Sequence, residues 1–438
     1  MKMNKTLLSA AVAVGLLSTS TVTHAAGFQL AEYSATGLGR AYAGEAAIAD
    51  NAGSQWRNPA LLTYLEGTQV SVGAIYVDPN IDIDGTSTSG GNSTPSNSSD
   101  FAHSAVIPNF YVSHKYNDKF ALGFAAGTNY GMETDLGTDF GGANHGNEAS
   151  VTTMELNLNA AYQVLESVSI GGGIRYIMAE GSFGAVSATT IPTMVNQGDA
   201  LKYMEGDDTA WGWQVGTAWQ INESNRLGFT YKSEVDLTLE GHAKGLAFDS
   251  VANAIGGPVK SKYNGSMALA LPATAELASF HQLTDKVAVH ASVNWTNWSS
   301  FKELVADIPE FGPARTQEIK QENWEDNYRF AVGTTYQMTP KLALRSGIAY
   351  DTSAVSEEHR TATIPETDRT WLSVGAGYQW SEQLSLDAGF TYIIAKDAPI
   401  TESRGYASDD AAEAVGGQFI GTTTGNVWLV GVQANYHF

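Results

Sequence analysis

The stretch that decides the fold is Leu384–Ile394, which reads LSLDAGFTYII. Its even-numbered positions are apolar, and they are Leu384, Leu386, Ala388, Phe390, Tyr392 and Ile394. Smaller or polar residues, among them Ser385, Asp387 and Thr391, stand between them. A period of two indicates a β-strand with one apolar face and one polar face.

The same alternation returns along most of the chain and also ends it. In Trp428–Phe438 the even-numbered positions are again apolar, and Phe438 is an aromatic C-terminus. Other segments with this period are Met154–Val164, Leu227–Leu237, Val287–Trp295, Tyr328–Met338, Leu342–Tyr350 and Leu372–Trp380. The pattern predicts about fourteen strands.

The connections between these strands alternate in length. Short connections stand at 117–118, 165–167, 222–225, 284–285, 339–340 and 381–383, and long ones at 87–103, 134–151, 182–208, 240–266, 300–324, 353–367 and 397–425. Short turns on one rim and long loops on the other are typical of an outer-membrane barrel, whose closure leaves no strand edge facing lipid. Tyrosine and tryptophan near the strand ends suit the membrane interfaces. We therefore predict an all-β fold, a transmembrane antiparallel β-barrel of about fourteen strands.

The composition narrows the function classes. The chain has 438 residues, 24 of them basic and 46 acidic, which gives a net charge of −22. This balance argues against a nucleic-acid partner, because phosphates require a basic surface. The sequence has no cysteine, which excludes thiolate metal centres, cysteine nucleophiles and disulfides. After the first 25 residues, no apolar run approaches the ~18 residues that a membrane helix requires.

Three segments divide the chain. Residues 1–25 combine Lys2 and Lys5 with the apolar run Leu7–Leu17 and a small-residue end at Ala25, as a secretory signal peptide does. Residues 26–67 do not alternate and are rich in alanine and glycine, which favours a hatch, or plug, inside the lumen over a periplasmic tail. Residues 68–438 are expected to form the barrel, in the outer membrane of a Gram-negative cell.

Motifs spread along the mature chain resemble one family. They are AGFQL, GLGRAYAGEAAIAD and RNPAL within 26–61, Ile107-Pro108-Asn109, Thr128–Gly131, Met154–Asn159, Tyr328-Arg329, Ile364-Pro365 and Asp368–Ser373. In this order they resemble the FadL family of outer-membrane long-chain fatty-acid transporters.

The resemblance implies a fourteen-stranded barrel with a hatch in its lumen. It implies that extracellular loops capture hydrophobic ligands and that the hatch, with Phe28 at the ligand and the turn Asn58-Pro59-Ala60, gates their passive diffusion. It also implies a side exit at a kink in the third strand, about Phe120–Thr134, where Gly127 and Gly131 are the expected kink residues. No cofactor or metal is implied, and we expect a monomer.

Two of the long loops carry apolar residues that solvated loops do not need. They are Ile191, Met194, Val195, Leu201 and Met204 in 190–204, and Leu246, Phe248, Val251, Ala252 and Ile255 in 242–259. The second set is spaced partly as on a helix. The two loops either form a groove for an acyl chain, which gains about 0.8 kcal/mol per buried methylene, or simply pack on each other.

Strand parity places a set of charged side chains in the lumen. The set is Arg175, Lys232, Arg329, Arg345, Glu155, Glu234, Glu276 and Asp387. A buried fatty-acid carboxylate needs a cationic partner. The family has basic residues near the top of the fifth strand and the start of the tenth, but Ala185 and Glu325 occupy those positions here. Arg329 is the nearest inward substitute, and uncharged ligands such as aromatic hydrocarbons stay open.

Three apparent motifs are rejected. Gly37-Leu38-Gly39 lacks a third glycine and a preceding strand, so no dinucleotide is expected. The run Asn80–Gly91 begins like a calcium loop but ends on glycine instead of glutamate. His290 and Ser292 point inward, away from the lipid that an outer-membrane phospholipase attacks, so no enzyme is expected. The sequence predicts a channel for long-chain fatty acids, with a surface receptor or adhesin as the competing class.

Overall fold

Fourteen antiparallel strands close into one barrel in the computed structural model, which describes residues 27–438. The strands are β1 (Thr68–Ser89), β2 (Ala105–Asn117), β3 (Phe120–Gly127 and Gly131–Asp135), β4 (Glu148–Leu165), β5 (Val168–Val186), β6 (Ala200–Asn222), β7 (Asn225–Lys232 and Val235–Lys244), β8 (Tyr263–Leu271 and Thr274–Thr284), β9 (Val287–Thr296), β10 (Asn327–Thr339), β11 (Leu342–Asp351), β12 (Arg369–Gln379), β13 (Leu384–Ala395) and β14 (Gln418–His437). The barrel closes where β14 pairs with β1, from Gln69↔His437 to Thr88↔Gln418. The predicted fold is confirmed, while the predicted signal peptide lies outside the described residues.

Residues 27–67 precede β1 and fill the lumen as a hatch. Their short elements are helices α1 (Ala35–Leu38) and α2 (Ser54–Arg57) and the 3-10 turns Glu45–Ala47 and Pro59–Tyr64. Ser34 caps α1 by accepting a hydrogen bond from the backbone N–H of Gly37, 3.2 Å away. The small residues let backbones meet, since a Cβ at Gly228 of β7 would overlap the carbonyl oxygen of Ala46.

Polar side chains tie the hatch to the wall. Asn58 donates through Nδ2 to the carbonyl oxygen of Thr217 on β6, at 2.9 Å. Arg329 of β10 donates through Nη2 to the carbonyl oxygen of Ala41, at 2.7 Å. The body of the hatch is therefore anchored on several sides of the barrel.

The long loops lie on the rim opposite the short turns, as predicted. They contain the short strands Asn92–Ser98, Glu303–Asp307, Thr316–Gln321 and Ala398–Thr401, the helices α3 (Leu246–Ala254) and α4 (Ala407–Gly416), and the 3-10 turns Trp298–Ser300 and Pro309–Ala314. Barrel strands reach further into this rim than expected, so the loop predicted at 182–208 spans only 187–199, and Leu201 and Met204 belong to β6. Among residues 27–438, no helix combines the length and the apolar composition needed to span a bilayer.

Strand β7 changes its inward face at an interruption. Thr230 and Lys232 are buried before Ser233, whereas Val235 and Leu237 are buried after it. The inward positions are therefore even-numbered below the interruption and odd-numbered above it. The expectation that one outward apolar face runs through Leu227–Leu237 is wrong, because the extra residue at the interruption reverses the direction of every following side chain.

Strands β3 and β8 are interrupted in the same way. In β8, Tyr263, Leu269 and Leu271 are buried above the break, and Thr274 and Glu276 are buried below it. Along β7 and β8, the inward side chains just below the interruptions are polar and those just above them are apolar.

Six of the eight charged side chains predicted for the lumen are buried, and the other two are half-buried. Arg175, Lys232, Arg329, Glu155, Glu276 and Asp387 are buried, Arg345 is half-buried, and Glu234 is half-buried at the β7 interruption. His290 and Ser292 also point inward, as predicted. The run that begins like a calcium loop forms part of β1 up to Ser89.

Candidate ligand-binding site

The first described residues of the hatch complete the broken strand β3. The backbone N–H of Leu30 donates to the carbonyl oxygen of Asn129 at 2.7 Å, and Gly131 donates to Phe28 at 2.7 Å. Gln29 and Tyr130 form an antiparallel bridge between these bonds. The N-terminal segment, residues 27–31, thus pairs with the chain at the interruption of β3.

Phe28 is enclosed by four aromatic side chains, which we call the aromatic cage: Tyr130, Trp298, Phe301 and Trp324. Its ring centroid lies 6.2, 4.6, 5.7 and 5.9 Å, respectively, from theirs. Phe28 is 1% exposed. The cage is therefore filled by a side chain of the hatch.

An apolar cavity of about 40 Å³, the upper cavity, adjoins the aromatic cage. Its walls include Phe28, Met132, Phe183, Leu239 and Leu304. A cavity of this size holds at most about three water molecules, so an acyl chain can enter only if side chains move. Phe28 is the wall residue carried by the N-terminal segment.

The loop residues predicted to bind ligand separate into two groups. Phe248 and Ala252 of α3 and Met204 are buried in the same apolar cluster as Phe28, and Val251 packs against that cluster. The others lie elsewhere: Val195 and Leu201 are buried outside it, Ile191 is bridged to Val195, and Met194, Leu246 and Ile255 are exposed. Their role in ligand capture stays a prediction.

An inward lysine stands beside the position where the resemblance implied a basic residue. Ala185 is buried in the apolar cluster and pairs across the sheet with Lys202. Paired residues of antiparallel strands project to the same side, so Lys202 points inward. A second cation, Lys320, lies with Nζ 5.9 Å from the centroid of Phe183, and the two ammonium groups repel each other. Glu325, by contrast, is exposed.

Two buried carboxyl groups adjoin these lysines. Burial opposes ionisation of Glu402, but Lys320, at 3.2 Å, and neighbouring cations hold its pKa below the usual value. Burial raises the pKa of Glu322, which lines the upper cavity and accepts a hydrogen bond from Trp324 Nε1 at 3.0 Å. Lys320 is thus committed to Glu402, whereas Lys202 forms no ion pair within residues 27–438.

The residues predicted to gate the channel occupy two places. Gly127 and Gly131 bound the interruption of β3, where residues 105–109 of β2 pair with β1 but not with β3. The turn Asn58-Pro59-Ala60 packs instead against β5 and β6, and a Cβ at Gly171 would overlap its backbone. The two parts of the hatch therefore contact different sides of the wall.

Comparison with known proteins agrees with this architecture. Residues 16–438 match the family model described as outer membrane protein transport protein (OMPP1/FadL/TodX). The chain is 35% identical to a long-chain fatty acid transport protein of Escherichia coli O6:H1, over 98% of this chain and 97% of that one. It is 37% identical to a 47 kDa outer membrane protein of Pasteurella multocida, over 100% and 99% of the two chains.

Solved structures share the fold. A Pseudomonas aeruginosa FadL homologue superposes with a TM-score of 0.81 at 23% identity, over 94% of this chain and 100% of that one. The Pseudomonas putida toluene transporter TodX superposes with a TM-score of 0.66 at 14% identity, over 94% and 100%. Because the family model and the relatives above 30% identity cover nearly the entire sequence, the chain belongs to the outer membrane protein transport family (OMPP1/FadL/TodX).

Proposed function

We propose that this chain takes up long-chain fatty acids through the outer membrane by passive diffusion gated by the N-terminal segment. The chain is an outer-membrane β-barrel, and its relatives at about 35% identity include proteins named for this transport. The observation that carries the proposal is the upper cavity, which Phe28 lines, together with the inward Lys202, which pairs with a residue of the same apolar cluster and forms no ion pair among the described residues.

The chemistry of the upper cavity suits an acyl chain. Each methylene moved from water into an apolar site contributes about 0.8 kcal/mol, so a long chain gains enough to displace Phe28 from the aromatic cage. The displaced segment is held by two backbone hydrogen bonds, by the packing of the Phe28 ring, by the hydrogen bond from Thr296 Oγ1 to Gln29 Oε1 at 2.7 Å and by the hydrogen bond from the backbone of Gly27 to Glu366. Ligand entry and movement of residues 27–31 are then one event.

The carboxylate of the ligand would pair with Lys202. Its ammonium group faces the same side of the sheet as Met204, on the rim from which the ligand arrives. Lys320 contributes positive potential although its own hydrogen bonds go to Glu402 and to the carbonyl oxygen of His145. This arrangement supplies the cation that Ala185 does not.

A neutral hydrophobic ligand is the second candidate, on the strength of Glu322. This carboxyl group lines the upper cavity, and in its ionised form it would repel a second carboxylate. Trp298 adds a buried indole N–H that has no hydrogen-bond partner among residues 27–438 and would suit a neutral acceptor. An uncharged hydrocarbon or ester needs no cation at all.

Uptake of radiolabelled oleate and of methyl oleate, by cells lacking their own transporter and supplied with this chain, tests both candidates. We expect oleate uptake to be restored and to fall about tenfold in Lys202→Met, since a charge-assisted hydrogen bond contributes roughly 1.5–3 kcal/mol. Methyl oleate uptake should be unchanged in this variant. Lys341→Met, at an exposed periplasmic turn, is the matched control. Unrestored oleate uptake would refute the fatty-acid assignment.

The receptor or adhesin alternative is separated by Phe248→Asp. Phe248 is 2% exposed, so the new carboxylate would be buried in the cluster that contains Phe28. Transport is expected to fall, whereas binding of a partner by the polar surface of the loops would persist. Normal transport with lost surface binding would favour the receptor.

A further inference from the structure

A second cavity lies on the other side of the N-terminal segment. This inner cavity, also about 40 Å³, is lined by Gln29, Leu30, Ala31 and Arg57 of the hatch and by residues of β7 to β11. Phe28 faces the upper cavity, and the next three residues face the inner one. The N-terminal segment therefore separates the two spaces.

The inner cavity is polar, and Lys232 stands in it without an anionic partner. Lys232 is 5% exposed, and its Nζ makes one long contact, 3.4 Å, to the amide oxygen of Asn129. Its ammonium nitrogen lies over the ring of Trp56, 4.7 Å from the centroid. Within residues 27–438 Lys232 forms no ion pair.

The carboxylates near Lys232 are already occupied. Glu155 holds Arg175 through two hydrogen bonds of 2.8 Å and also accepts from Asn129. Glu276 faces Arg57 at 3.6 Å and accepts from Asn294. Two arginines thus pair with these two carboxylates, which leaves Lys232 without a carboxylate partner of its own among the described residues.

Arg329 at the far end of the same cavity differs from Lys232 in this respect. It lies 3.3 Å from Asp351, and the buried Glu32 is a further carboxylate close to both. Although its Nη1 has no hydrogen-bond partner among the described residues, its charge is compensated. Among the described residues that line the inner cavity, the cation without an ion pair is therefore Lys232 and not Arg329, the substitute that the sequence predicts.

Burial of an ammonium group without a counter-ion costs free energy. A neutral side chain could make the same packing contact without that cost. We propose that Lys232 is a second binding site for the ligand carboxylate, occupied after the ligand passes the N-terminal segment. The site takes long-chain carboxylates and not their esters. It rests on the proposed fatty-acid uptake and adds a relay from Lys202 to Lys232, next to the interruption of β3 where Asn129 lies.

The test compares Lys232→Met with the wild-type chain in proteoliposomes and cells. We expect equilibrium binding of oleate in detergent to change little, because the upper cavity is intact, while oleate uptake falls about tenfold, equivalent to about 1.4 kcal/mol. Methyl oleate uptake should stay at the wild-type level, and Lys232→Arg should retain most oleate uptake. Retained heat-modifiable gel mobility verifies that each barrel is folded.

The uptake results distinguish a ligand-binding role of Lys232 from a structural one. Equal losses for oleate and methyl oleate would show that Lys232 only supports the hatch, and unchanged oleate uptake would show that no ligand uses it; either result overturns the proposal. A wild-type chain that transports methyl oleate but not oleate would instead refute the fatty-acid function, a result separate from any effect of Lys232.

Discussion

The aromatic cage leads to a prediction of unusual sign: truncation of Phe28 should strengthen ligand binding. Phe28 occupies the space that an acyl chain needs, and the remaining cavity of about 40 Å³ is too small for one. A ligand that enters the wild-type chain must first displace this ring. In Phe28→Ala that displacement is no longer required.

The magnitude follows from the burial of the ring. Phe28 is 1% exposed and contacts four aromatic rings, and Phe→Ala substitutions at such sites cost about 3–5 kcal/mol. The substitution destabilises the closed arrangement of the N-terminal segment by this amount and does not destabilise the ligand-bound arrangement. If the lower value, about 3 kcal/mol, is lost in full from the closed arrangement, the affinity for oleate rises about 150-fold.

Equilibrium dialysis with radiolabelled oleate below its critical micelle concentration measures this change. Phe140→Ala is the matched control, because Phe140 is equally buried and packs on Phe419 in a separate cluster. It should lower the stability of the barrel without changing the affinity for oleate. Weaker binding by a folded Phe28→Ala chain would refute the reasoning and show that Phe28 contacts the bound ligand and is not displaced by it.

Three further predictions address the hatch, the loops and the head group. Gly228→Ala should prevent the hatch from seating and let small hydrophilic solutes leak into swelling liposomes, whereas Gly172→Ala, whose Cβ would have its nearest neighbour at 3.5 Å, should leave the barrel sealed. Burial raises the pKa of Glu366 to about 7 even though its carboxylate accepts a hydrogen bond from Gly27. The folded state then binds a proton that the unfolded state releases, so the melting temperature should be higher at about pH 5 than at about pH 7.5, and Glu366→Gln should show a smaller difference; an equal difference would contradict this assignment. Glu325→Lys should change oleate affinity less than about threefold, since exposed charges contribute little, and a larger change would place this residue in the site.

The strand pattern was readable from the sequence because each barrel residue obeys a local rule. A side chain that faces lipid must be apolar, whereas the next residue along the strand faces the lumen and can be polar. The alternation in Leu384–Ile394 therefore shows which residues face lipid. The short turns and long loops followed from the same pattern. The hatch was readable for the opposite reason, since residues 27–67 break the alternation.

The roles proposed for Lys202 and Lys232 could not be predicted from the sequence, because they depend on which strands are neighbours. Lys202 pairs with Ala185, and this register does not follow from a sequence pattern that predicts a single loop at 182–208. Lys232 was correctly placed in the lumen, but only the structure shows that Glu155 is taken by Arg175. A signal did exist for Lys202, as the single basic residue within the predicted loop.

The interruptions of β3, β7 and β8 explain how one barrel holds both an apolar and a charged compartment. In an uninterrupted strand the polar face continues along the whole lumen, and an acyl chain would find no apolar wall. Reversal at the β7 interruption turns Val235 and Leu237 inward above it and keeps Lys232 inward below it. The same reversal turns Asp236 and Glu240 outward, which only water or lipid head groups tolerate, so the upper halves of these strands stand above the hydrocarbon layer. Under the proposed function, the ligand would meet an apolar cavity outside the membrane core and a cation within it, with the N-terminal segment between the two.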